Sequence, residues 1–193
     1  MSTEALSPQQ RAALTKTVRT RKWLADTARA LLDENGWYGV TREDVAKASG
    51  FGLTTLSKHF PTKRGLVIAA YAPLVLPLIE KTRNTPSLPG PVLTTFIREL
   101  AEICAAHPAL AVALLPVARD ARVQNNTDES AYDLTLRELA ELIVLPLSGL
   151  RDEKLPVEVA EYHLLGLLSW IENHPEIPGT TAAELALSQL NLL

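Results

Sequence analysis

Apolar residues recur at three- and four-residue intervals along most of the chain, and no stretch alternates apolar and polar positions as a half-buried strand would. The first clear stripe is Leu24, Ala28, Leu31 and Leu32, which predicts a long helix over 8–35. Ser7 before Pro8 opens it, since a capping hydroxyl followed by a proline in the first turn leaves few donors unsatisfied, and Gly36 closes it. Thr41 and Asp44, three apart, resemble a capping box and open a short helix, Arg42–Ser49, with Val45, Ala46 and Ala48 for packing. After Gly50-Phe51-Gly52 a second short helix over 53–60 turns Leu56 and Phe60 inward. Pro61-Thr62 breaks the chain and another helix starts near Lys63. A proline-rich connection over 84–91 precedes helical patterns at 92–106, 108–121, 129–149, 156–173 and 180–192, with a polar loop at 123–128. The expected fold is all-α: an N-terminal three-helix helix-turn-helix domain followed by a helical bundle.

Composition changes that picture little until it is divided. The 193 residues carry a net charge of −3. Residues 1–67, however, hold 11 Lys+Arg against 6 Asp+Glu, a net +5, and residues 68–193 hold 8 against 16, a net −8. A basic head on an acidic body predicts two modules, 1–67 and 68–193, with the head suited to a polyanion.

One cysteine, Cys104, excludes an internal disulfide framework and a cysteine-based zinc site and suits a reducing cytoplasm. No secretory signal is visible over 1–20. The longest apolar run, 65–79, contains Pro73 and Pro77 and falls short of the roughly 20 residues of a bilayer span, so a cytoplasmic protein with no membrane partner is expected. His59, His107, His163 and His174 form no metal-ligand spacing, and no nucleophile elbow, phosphate loop or dinucleotide fingerprint occurs. No catalytic residue, metal or cofactor is expected, and the chain does not read as an enzyme.

Two short helices joined by a tight glycine turn and backed by a longer one make a helix-turn-helix unit. The stretch TREDVAKASGFGLTTLSKHFPTKRGL, residues 41–66, together with LADTARALLDENG, residues 24–36, resembles the DNA-binding signature of the TetR family of bacterial transcription regulators. In that family Thr41, Arg42, Leu53, Thr54, Thr55, Ser57, Lys58, His59 and Lys63 occupy the positions that contact DNA. The physical reason stands beside the resemblance. A recognition helix presents short or polar side chains to base edges while its other face packs inward. Leu56 and Phe60 anchor it, leaving Thr54, Thr55, Ser57, Lys58 and His59 outward. Thr41 and Arg42 offer a hydroxyl, a guanidinium and exposed backbone N–H groups to a phosphate, and Lys63 adds a backbone contact. Ser57 stands where the family commonly has tyrosine, and Gly52 replaces a frequent serine, which weakens the cap of the recognition helix. Leu53 replaces a usual polar residue; it either meets a thymine methyl or packs locally. Arg19, Arg21 and Lys22 flank the first helix as further phosphate contacts or as an unengaged charged face.

For residues 68–193 the resemblance implies a ligand-sensing and dimerisation domain. The 156–173 helix carries Val157, Ala160, Leu164, Leu167, Leu168 and Ile171 on one stripe, widened by Tyr162, Leu165, Gly166, Ser169 and Trp170. So broad an apolar surface needs cover on two sides, which predicts a homodimer through the helices at 156–173 and 180–192, matched to a palindromic double-stranded operator. Phe96, Cys104, His107, Tyr132, Tyr162, His163 and Trp170, with Tyr71, are the aromatic or polar-tipped residues available to line a small-molecule pocket; ordinary core and interface roles are the competing reading. Pro73 and Pro77 are expected to end or kink the helix that leaves the first domain. The functional expectation is a repressor released by a small apolar ligand, the alternative an orphan regulator or an activator without an inducer.

Overall fold

Ser7 starts the first helix by reciprocal capping: its hydroxyl accepts from the Gln10 N–H at 3.2 Å, and its own N–H donates to Gln10 Oε1 at 2.8 Å. The computed structural model describes residues 7–85, 89–115, 134–150 and 156–190. Among these the chain forms nine helices and no strand: α1 (Pro8–Gly39), α2 (Arg42–Ser49), α3 (Leu53–His59), α4 (Lys63–Asn84), α5 (Pro89–Ala106), α6 (Pro108–Leu114), α7 (Leu136–Leu150), α8 (Val157–Asn173) and α9 (Gly179–Gln189). The chain divides into two compact units between Leu66 and Val67, within α4.

In the first unit α1 buries Leu24, Ala25, Ala28 and Leu32 on one stripe, against which α2 packs through Val45 and Ala46. Ala48, expected in the packing, is exposed. Gly36 breaks the helix at φ 67, where its stop was expected, and a short helical stretch beyond the kink runs to Gly39. The expected box at Thr41 forms, with the Thr41 hydroxyl accepting from the Asp44 N–H at 3.2 Å and the Asp44 carboxylate accepting from the Thr41 N–H at 2.8 Å. Gly50 ends α2 at φ 76, a left-handed conformation that a side chain would disfavour.

The second unit is built around α5, whose buried face comprises Leu93, Phe96, Ile97, Leu100, Ala101 and Cys104. It contacts α6, α7, α8 and α9, while α8 also lies against α6, α7 and α9. Helix α5 begins at Pro89 rather than 92, so the connection after α4 is shorter than its prolines suggest. Prolines in a first turn remove N–H groups that have no helical partner anyway. Conversely α6 stops at Leu114; residues 116–121 of the helix expected there lie outside the described residues. Leu115 precedes Pro116 and is extended at ψ 132, as the ring of a following proline demands. Helix α7 starts at Leu136, capped by Thr135 and Glu138. The expected helix start near 129 and the loop at 123–128 lie outside the described residues.

Pro73 and Pro77 do not end α4, which runs through both to Asn84. Both rings lie on its exposed side with Glu80, Lys81 and Asn84, clear of the packed face. By length and composition α4 meets the requirement for a bilayer span. Its apolar side is instead covered by protein: Tyr71, Ala72 and Val75 are wholly buried.

Gly179 carries the closest approach in this unit. A Cβ there would stand 2.7 Å from the Ala101 carbonyl oxygen and 2.7 Å from Glu102 Cα, backbone that cannot move aside as a side chain tip can. Gly179→Ala is therefore expected to destabilise the second unit by about 1–3 kcal/mol, the usual cost of overpacking, read as a lower midpoint in urea unfolding; an unchanged midpoint would refute the α5–α9 contact.

Candidate nucleic-acid interface

A seven-residue helix presents the centre of the site. Leu56 and Phe60, four apart, are buried at 0% and 1% exposure, which turns the opposite side of α3 outward. Leu53, Thr54 and Lys58 are exposed on that side, and Thr55, Ser57 and His59 are half-buried at its edges. Gly52 gives α3 no side-chain cap; the Thr55 and Leu56 N–H groups donate to its carbonyl at 2.9 and 3.1 Å. Leu53 keeps 40% of its surface exposed, so local packing does not consume it.

Thr41 is exposed at the start of α2, its hydroxyl tied to Asp44. Those bonds from the Thr41 hydroxyl and N–H hold the Asp44 carboxyl below its ordinary value, so the cap persists well into acid. Arg42 is half-buried and donates to Ser57 Oγ, a contact that joins the first turn of α2 to α3. The short hydroxyl at 57 thus orients a guanidinium. Lys63 is also committed: its ammonium donates to the Trp37 carbonyl and lies 4.6 Å from the centre of the Trp37 ring. Burial lowers its pKa, against an opposing pull from Asp44.

Three residues of α1, Arg21, Trp23 and Trp37, hold this surface in place. Arg21 donates to the His59 carbonyl at 2.6 Å and stacks its guanidinium 4.3 Å from the Phe60 ring centre. Trp23 donates from Nε1 to the Ser49 carbonyl at 3.0 Å, and Trp37 receives Lys63 as above. Of the cations expected either as phosphate contacts or as an unengaged charged face, Arg21 clamps the end of α3, and Lys22 pairs with Asp26 at 2.6 Å on the surface. Aromatic residues at otherwise solvent-facing positions were the signal available for Trp23 and Trp37. His59 titrates below its usual 6.5, through partial burial first and then the charges of Arg21 and Lys58, so it is neutral at pH 7.

The family described as bacterial regulatory proteins, tetR family, matches residues 24–70, the segment that holds this arrangement. Residues 24–70 thus carry a segment similar to the DNA-binding part of that family. Over 78 residues it is 32% identical to the HTH-type transcriptional regulator CymR of Pseudomonas putida, a match covering 40% of this chain and only 38% of that regulator. Two solved structures share the fold over most of their length. The TetR-family repressor FadR of Thermus thermophilus, solved with lauroyl-CoA, aligns at a TM-score of 0.64 and 22% identity over 89% of this chain and 93% of that one. The TetR-family regulator PfmR, also of Thermus thermophilus, aligns at 0.51 and 18% identity, over 97% and 96%.

Of the residues expected to line a pocket, Phe96 and Cys104 lie on the same buried side of α5. Burial pushes the Cys104 thiol up to about 12, leaving it neutral and unreactive. His107 precedes α6 and stacks against Tyr71 with ring centres 4.9 Å apart. His163 and Trp170 are half-buried on α8, Trp170 against His174 at 4.2 Å. Tyr162 is 74% exposed, a surface residue that does not line an interior cavity; Tyr132 lies outside the described residues. Among the described residues no group of three or more His, Cys, Asp or Glu is placed to hold a metal ion.

Arg21→Ala removes a charged donor from a part-buried carbonyl and a cation from the Phe60 ring. A loss of about 1.5–3 kcal/mol in the stability of the first unit is expected, against under about 0.5 kcal/mol for the exposed Lys22→Ala; equal effects in thermal unfolding would remove the clamp.

Proposed function

We propose that this chain is a DNA-binding transcriptional regulator, a homodimeric repressor that leaves a palindromic operator when its second unit takes up a small apolar ligand. The observation that carries the reading is the division of α3. Leu56 and Phe60 are fully buried, and Thr54 and Lys58 face solvent beside Thr55, Ser57 and His59. Thr54, Thr55 and Leu53 offer hydroxyls and methyl groups to base edges, while Thr41, Arg42, Lys58, His59 and Lys63 surround them with donors for phosphates.

The dimer is supported by the outer side of α8. Tyr162, Gly166, Ser169 and Asn173 are exposed or partly so and Leu165 and Trp170 half-buried, all at helical spacing, although Ala160, Leu164, Leu167, Leu168 and Ile171 already fill the core. On α9, Leu185 is exposed beside Thr181 and Ser188. A second copy of α8 and α9 would cover both surfaces, with Gly166 and Ser169 admitting close approach. The apolar ligand is supported by the second unit's interior, where the buried side chains described are apolar apart from the Tyr71 phenol and the Cys104 thiol, and by the lauroyl-CoA held by the similar repressor from Thermus thermophilus.

Selection from a random duplex pool by the full chain should yield palindromic sites. On such a duplex Thr55→Ala and Lys58→Ala should each weaken binding roughly tenfold, the scale of one lost specific contact; retention of full affinity in both would sink the reading. Addition of lauroyl-CoA tests release, and a regulator without an inducer would hold its duplex throughout. A nearby phosphate would raise the His59 pKa in the complex. Binding then takes up a proton, and affinity rises as pH is lowered from about 8 to 6, a slope that His59→Gln abolishes.

Gly166→Arg places a charge on the α8 surface with nothing within 4 Å in the chain itself. Sedimentation should show dimer for the parent and monomer for the variant, with folding intact; a monomeric parent would end the dimer proposal.

A further inference from the structure

Every residue from Ser7 to Arg19 is exposed, so the first three turns of α1 are buried against nothing else among the described residues. A free helix of a dozen residues is marginal in water, yet this one is built to persist. It continues a helix already nucleated by the packing of Leu24, Ala25 and Ala28, and it opens with the Ser7–Gln10 capping box.

Its charge has one sign. No Asp or Glu occurs between Glu4 and Asp26, whereas Arg11, Lys16, Arg19, Arg21 and Lys22 do. Arg21 holds the end of α3 and Lys22 pairs with Asp26, which leaves Arg11, Lys16 and Arg19. At 3.6 residues per turn these three fall within an arc of about 140°, so one side of the helix carries all of them over a length of about 12 Å. The segment emerges beside the helix-turn-helix: Arg19, Thr20 and Trp23 line an open groove of 520 Å³ with Ser49 and Phe51, at the turn between α2 and α3.

We propose that the free segment of α1, residues 8–19, is a second DNA-contacting element, which lays Arg11, Lys16 and Arg19 along phosphates outside the stretch read by α3. This rests on the DNA-binding reading and extends it. The occupant is argued from charge. Three cations without an acidic neighbour, on a helix adjoining the proposed reading surface, match a duplex that carries one negative charge per about 1.7 Å of axis. Leu14 and Val18, exposed at 53% and 55%, border the cationic side, and a second copy of this chain is the occupant they would favour.

The test uses the full chain, a duplex selected from the random pool with about 15 flanking base pairs on each side, and the triple variant Arg11→Ala, Lys16→Ala, Arg19→Ala. Alanine is the strongest helix former, so circular dichroism should show helicity retained. The slope of log Kobs against log salt should become shallower by about 2–3 per chain, since each lost phosphate contact removes about 0.9, with the preferred sequence unchanged. Trimming the flanks should produce the same loss in the parent and none in the variant. An unchanged slope overturns the proposal, all the more if Leu14→Glu with Val18→Glu lowers the sedimenting mass, which would assign the segment to contact between copies. A parent chain that selects no duplex overturns the DNA-binding reading and this inference together; a parent that binds with the variant's slope overturns the inference alone.

Discussion

Seven residues make two turns, too few to stay helical in water, so the position of α3 depends wholly on what it rests against. Leu56 and Phe60 supply the buried side, and Arg21 secures the far end by donating to the His59 carbonyl while covering the Phe60 ring. The same guanidinium therefore satisfies a C-terminal carbonyl and fills space over an aromatic ring, which a lysine's point charge would do less well. Around it, Trp23 ties α1 to the end of α2, Arg42 ties α2 to α3, and Lys63 ties the start of α4 to the end of α1. These side chains together brace a surface whose outward residues are short. Small side chains such as Thr54 and Thr55 read a partner only if the backbone beneath them is held still.

The bracing gives several polar residues two tasks. Ser57 is hydrogen-bonded to Arg42, and Lys63 to Trp37, before any partner arrives. Such residues would meet an anion already oriented, so less side-chain freedom would be lost on contact. His59 is set differently. Its environment keeps it neutral near pH 7, and an approaching phosphate would reverse that preference.

In the second unit polarity is arranged by exclusion. The buried positions of α5, α6, α8 and α9 are apolar, the lone thiol at 104 is held neutral, and the prolines of α4 are kept on its wet side. Gly179 lets α9 approach the α5 backbone more closely than any side chain would allow.

Local rules in the sequence determined much of this protein. The reciprocal caps at Ser7 and Thr41, the turn at Gly50 and the pairing of Leu56 with Phe60 are all interactions between residues at most four apart, so spacing and residue type suffice to predict them. The motif over 24–66 carries the family resemblance for the same reason. What spacing could not supply is contact between distant residues. Arg21 and His59 stand 38 positions apart, Trp23 and Ser49 26, and Lys63 and Trp37 26, so a cation marked as a phosphate contact by its charge became a clamp on the fold. Helix ends show the same limit. A proline following Leu115 coincides with the end of α6, yet two prolines inside α4 leave that helix intact with their rings on its exposed side, because only the tertiary fold decides which face of a helix is packed.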